Sequence, residues 1–124
     1  MTLRELYASI DGSYDQAIAV LRVEKLIDKH IRRFPGGGVV DTVIAASERM
    51  DQTEMFESAH AMKGVCANLG LTALSNLAAQ LCEEFRPGNG RRLSDGEVRE
   101  RIEEIRALYG KTSAGIAEYV QSQT

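Results

Sequence analysis

Within the stretch AHAMKGVCANLGL, Ala59 to Leu71, three residues could take part in chemistry: His60, Lys63 and Gly64. Histidine changes charge near neutral pH, and a neutral ring nitrogen is a nucleophile that can accept a phosphoryl group. A phosphorylated side chain carries close to two negative charges. A lysine three residues on lies within one helical turn and can reach those oxygens. A unit charge pair at about 4 Å is worth about 1 kcal/mol in bulk water and about 4 at an effective dielectric of 20. The lysine would therefore favour both the bound group and the charge that develops during transfer. Glycine in mid-helix is less favourable than alanine by about 0.8–1 kcal/mol. What it offers in return is clearance beside the ring for an incoming phosphoryl group and its carrier.

The elements around these residues must present them outward. Successive helical side chains turn by about 100°. With His60 at zero, Met55, Ala59, Met62, Val65, Cys66 and Leu69 fall in an arc of roughly 140–260°, the expected core face. His60 points away from that arc, with Lys63 about 60° to one side and Gly64 about 40° to the other. Phe56, one turn earlier, and Ala67, two turns later, share the outward face. With Ala61 and Gly64 they make a low, partly apolar platform suited to docking another protein. A surface histidine with a lysine at i+3 is commonplace alone. The mid-helix glycine and the outward phenylalanine set this one apart.

Four Ser/Thr/Asp-x-x-Glu/Gln capping boxes, Thr2–Glu5, Ser13–Gln16, Asp51–Glu54 and Ser94–Glu97, mark helix starts. Between them the apolar spacing is helical. Val23, Ile27, His30, Ile31 and Phe34 form one stripe, stopping at Pro35 and Gly36–Gly38. Val40, Val43, Ile44 and Ser47 form a second, ending near Met50. Met55 to Leu69 ends at Gly70, Leu74 to Phe85 ends at Pro87, and Val98 to Tyr119 is the longest. No segment alternates with the period of two that a half-buried strand needs. Short connections make neighbouring helices antiparallel. The expected fold is all-α, an up-and-down antiparallel four-helix bundle with one or two short N-terminal helices, as a single domain over 1–124. Gly36–Gly38 reads as a helix stop, since no strand precedes it and no GK[ST] follows.

Composition narrows the partners. The chain of 124 residues is 44% hydrophobic and 27% charged, which is globular rather than disordered. A net charge of −3 argues against nucleic acid, which calls for a basic face. No apolar run approaches the roughly 20 residues that span a bilayer, and the N-terminus lacks a signal peptide's basic and apolar segments, so the expected place is the cytoplasm with no membrane contact. There Cys66 and Cys82 are expected to be thiols that fill core space. His30, on or beside an apolar stripe, is assigned a structural role, and Arg86 that of a cation at a helix C-terminus.

The run His60-Ala61-Met62-Lys63-Gly64-Val65-Cys66-Ala67-Asn68-Leu69-Gly70 resembles the signature of the histidine phosphotransfer (HPt) domain family: His-x-x-Lys-Gly, small residues, then a Leu-Gly turn. The match is closest from Phe56 to Arg86 and looser elsewhere. The resemblance implies a four-helix bundle whose His60 takes a phosphoryl group, on Nε2, from a receiver-domain aspartate and returns it to another. Lys63 carries over as phosphate stabiliser and Gly64 as the clearance residue. Phe56, Ala61 and Ala67 are the expected partner-binding residues. Response-regulator receiver domains are the implied partners, with a hybrid sensor histidine kinase as one carrier of such a receiver. Mg²⁺ is implied on the receiver and no cofactor or metal on this chain.

Some relatives bond the other ring nitrogen to a glutamine on the following helix. Counted from Gly70 that position is near Cys82, a departure from the pattern. Gln80 sits about 200° away on its helix and is not assigned the role. The chain has no P-loop and no room for a kinase domain, so it is read as a phosphoryl carrier without kinase activity of its own. Four main helices can close a core without a partner, which makes a monomer the expected state. The alternative is a helical adaptor that binds receiver-like domains without phosphorylation.

Overall fold

Four helices start where a side chain can take up their free N–H groups. In the computed structural model, which describes residues 1–124, α1 (Leu3–Ser9) and α7 (Asp95–Ser122) carry complete capping boxes at Thr2 and Ser94. α2 (Tyr14–Leu21) and α5 (Gln52–Asn68) are capped by Ser13 and Asp51, which accept from the N–H groups of Gln16 and Glu54. The return bond is missing at Asp51 because the Glu54 carboxylate turns to Arg49, at 3.6 Å. α3 (Glu24–Arg33) runs into a 3-10 turn at Phe34–Gly36, and left-handed Gly38 leads into α4 (Val39–Arg49). α6 (Thr72–Glu84) completes the set. The chain is all-α, as its periodicity requires.

Helices α4 to α7 form a ring in which α4 packs on α5, α5 on α6, α6 on α7, and α7 back on α4. Cross-helix pairs fix their directions. Lys63 meets Ser75, His60 meets Cys82 and Gln52 meets Phe85, so α5 and α6 are antiparallel. Arg101 donates to Gln80 on α6, while the Arg91–Leu93 segment just before α7 binds Glu84 at the end of α6. Every α-helix contributes to one apolar core, whose largest fully buried side chains include Tyr7, Phe85, Leu6, Ile27, Met55, Met62 and Ile105. Each such side chain contributes about 1.5–3 kcal/mol on burial.

Three tyrosine hydroxyls tie the N-terminal helices to the ring. Tyr7 donates to the Leu69 carbonyl at 2.6 Å, Tyr109 to the Pro35 carbonyl, and Tyr119 to Asp28 at 2.6 Å. Burial and its bond to Asp28 together push the Tyr119 phenol up to about 12. No helix is long and apolar enough to cross a membrane.

Candidate functional site

The C-terminus of α5 sets the position of everything around His60. The helix ends in a Schellman motif: the Gly70 N–H donates to the Ala67 carbonyl at 3.1 Å and the Leu71 N–H to the Cys66 carbonyl at 2.8 Å. The motif needs a left-handed residue, and Gly70 supplies it with φ of 70°. A Cβ there would also overlap the Ser13 carbonyl and press on Ala17. This stop returns the chain as α6 in a fixed register, and the register brings Cys82 beneath His60.

His60 is exposed, as its place on the wheel predicts. Its ring is held from two sides. Nδ1 faces the Cys82 sulfur at 3.9 Å, and the Phe56 ring stacks on the imidazole with centroids 5.9 Å apart and 24° between planes. With Nδ1 turned to α6, Nε2 lies at the opposite edge of the ring. Arg86 extends the stack, its guanidinium 5.3 Å from the Phe56 centroid. It also donates twice to Glu83 Oε1, at 3.0 and 2.8 Å. Those bonds hold the Glu83 carboxyl below the usual range, helped by the field of Arg86 and, more weakly, of Lys63. Arg86 is thus the outer support of Phe56 and more than a helix-terminal cation.

Lys63 is half-buried and makes no ion pair. Its ammonium is a free positive charge one turn from His60, on the side of Glu83. Gly64 is exposed, and a Cβ added to it would meet nothing within 4 Å. The fold itself does not need glycine at 64. The space beside the ring is open to something outside the chain.

The remaining expected residues divide between two sides. Phe56 and Ala67 are half-buried, with Phe56 packed on the core and on His60. Ala67 opens on a recess shared with Ser13, Gln16, Thr72 and Ser75. Ala61 is exposed but lies across the ridge of α5, in the groove toward α4 beside Thr42, Ala45 and Glu57. Met55, Ala59, Met62, Cys66 and Leu69 are buried as the wheel requires. Val65 is not: it stands at the edge of the arc and is 40% exposed. It lines a groove of about 390 Å³ with Leu21, Phe34, Val39 and Leu69. His30 is exposed on the same groove rather than packed in the core, because it stands about 60° from Ile27 and about 100° from Ile31 around the helix, at the border of the buried face. Gln80 is occupied by Arg101 at 3.0 Å, away from the site.

Cys66 is a packing thiol whose burial pushes it up to about 12. Cys82, also buried, has in addition the contact with His60. The sequence pointed to its position only through the count from Gly70. The support of Phe56 by Arg86 had no sequence signal, since Phe56 lies on α5 and Arg86 thirty residues on, just beyond the end of α6.

Neither curated proteins nor solved structures give a match to the chain. The Hpt domain family model matches residues 21–115 of the 124 and so spans the exposed histidine, its lysine and glycine, and the helix that supports the ring. The chain belongs to the Hpt domain family, whose members carry out histidine phosphotransfer in two-component phosphorelays.

Proposed function

We propose that His60 is the phosphoacceptor, taking a phosphoryl group on Nε2 from a receiver-domain aspartate and passing it to a second receiver. The observation that carries this reading is an exposed imidazole with Nδ1 turned inward to Cys82, an unpaired Lys63 and an open Gly64 beside it. In the transfer, the Nε2 lone pair attacks phosphorus and the N–P bond forms. The P–O bond to the aspartyl carboxyl breaks, and the carboxylate leaves with the electron pair. The ring keeps its proton on Nδ1 and becomes a cation next to a dianionic phosphoryl group. The reverse sequence returns the group to a carboxylate.

Lys63 balances charge on the phosphoryl oxygens as it moves between the two carriers. Gly64 lets the receiver bring its aspartate up to the ring. Phe56, Ala61 and Ala67 lie within the footprint of a docked domain. Mg²⁺ belongs to the receiver, which supplies the carboxylates for it. The receiver can be free or attached to a hybrid sensor histidine kinase. The chain acts as a monomer in the cytoplasm, in contact with neither nucleic acid nor membrane.

The test is transfer of ³²P from a phosphorylated receiver domain. Label that is acid-labile and base-stable is expected on the wild type and absent from His60→Gln at unchanged helicity. Lys63→Ala should slow transfer about ten-fold, the equivalent of one partly screened charge pair of about 1.4 kcal/mol. Label that survives His60→Gln overturns the assignment. Binding of receivers without any transfer by the wild type would make the chain an adaptor.

A further inference from the structure

We propose that Cys82 is the positioning residue for His60, its sulfur accepting the Nδ1–H and so keeping the lone pair of Nε2 outward for phosphoryl transfer. The inference rests on the reading of His60 as phosphoacceptor and adds the residue that prepares its ring.

Three observations meet here. The sulfur is 3.9 Å from Nδ1, within reach of a long hydrogen bond to sulfur, and no other group in the chain hydrogen-bonds to the ring. Cys82 is fully buried, so water does not compete for its sulfur. Phe56 stacks on a ring face and limits its tilt. What stacking leaves undecided is a half-turn of the ring about its bond to Cβ, and which nitrogen carries the proton.

The sulfur decides both. A half-turn would put a carbon against Cys82 and forfeit the contact. For the proton there are two arrangements, because a thiol can donate or accept weakly. If S–H donates to Nδ1, the proton of the neutral ring sits on Nε2 and the outward nitrogen has no lone pair to offer. If Nδ1–H donates to sulfur, Nε2 is free to attack. Transfer also ends with a proton on Nδ1 of a cationic ring, and the sulfur lone pair then faces a stronger donor. The second arrangement serves the ground state and the product alike. Sulfur is a weak acceptor, so the bias is modest and an amide oxygen at the same place would strengthen it.

The experiment measures ¹⁵N shifts of the His60 ring in wild type, Cys82→Ala and Cys82→Gln, together with the rate of phosphorylation by phosphoramidate, a small donor that needs no docking. The wild-type ring is expected mainly in the Nδ1–H form. Cys82→Ala should move it toward Nε2–H and slow phosphorylation about two- to five-fold, the range of one weak hydrogen bond. Cys82→Gln should restore or exceed wild type in both readouts, which a packing role for the thiol would not do. A wild-type ring mainly in the Nε2–H form overturns the proposal, as does a Cys82→Ala protein unchanged in shifts and rate. If glutamine prevents folding, the comparison of wild type with Cys82→Ala decides. A wild type that takes no phosphoryl group from phosphoramidate or a receiver overturns the transfer reading instead, and the ring shifts still decide on Cys82.

Discussion

At the scale of single residues, Gly64 separates what the fold needs from what the site needs. Nothing lies within 4 Å of a Cβ placed there, and the residue is in the interior of α5. Gly64→Ala should therefore stabilise the chain by about 0.5–1 kcal/mol, read as a higher urea midpoint at unchanged slope. The same substitution should slow transfer from a receiver while leaving phosphorylation by phosphoramidate within about two-fold, since a methyl group obstructs a domain far more than a small donor. Lower stability with unchanged transfer would mean that glycine serves the fold after all. The helical wheel found this residue, together with His60 and Lys63, because their chemistry and spacing are local to one helix. It failed at Val65 and His30 for a related reason. Both sit at the border of their helix's buried arc, where exposure is set by the neighbouring helix rather than by their own.

At the scale of elements, the ends of α6 and α7 are joined by a clamp that no periodicity shows. Glu84 is buried at the end of α6. Its carboxylate accepts from Arg91 Nε at 2.8 Å and from the backbone N–H groups of Arg92 and Leu93, the latter at 2.9 Å. Burial alone would raise the Glu84 carboxyl; the bonds from Leu93, Arg91 and Arg92 outweigh it and hold it below the usual carboxylate range. A carboxyl lowered in the folded state adds stability that is present above its unfolded pKa and is lost as pH falls through the folded one. Glu84→Gln should thus lower stability by about 1–3 kcal/mol at pH 7, and the deficit should shrink in urea unfolding at pH 3.5. A deficit equal at both values would assign the effect to shape rather than charge. The helix starts at Thr2, Ser13, Asp51 and Ser94 were readable because a cap lies three residues from its partner. The Glu84 clamp spans seven to nine residues across a loop and has no such signature.

At the scale of the whole molecule, the family match begins at residue 21, yet α1 and α2 are built into the same core as the site. Leu3, Leu6, Tyr7, Ile10 and Ala17 are buried. The Tyr7 hydroxyl and the Ser13 N–H bond the carbonyls of Leu69 and Gly70, at 2.6 and 2.7 Å, in the turn that sets the register of Cys82. Gly115 gives α1 room on α7, since a Cβ there would come within 2.6 Å of Ile10. Such contacts join residues more than fifty positions apart, which is why a reading of local pattern foresaw short N-terminal helices but not their task. A chain of residues 21–124 should lose at least about 3 kcal/mol, because several large side chains lose their cover at about 1.5–3 kcal/mol each, partly offset by freed chain entropy. That corresponds to a thermal midpoint lower by roughly 10 °C or more in a chain of this size. The loss should also be directional. Amide exchange should quicken first at Cys66–Leu71, where two carbonyls of the turn lose their donors, and spread to the Cys82 side of His60 before it reaches the far end of the bundle. If the shortened chain melts at the full-length midpoint with the turn still protected, α1 and α2 are decoration on a self-sufficient bundle and the register of the site is fixed by α5 and α6 alone.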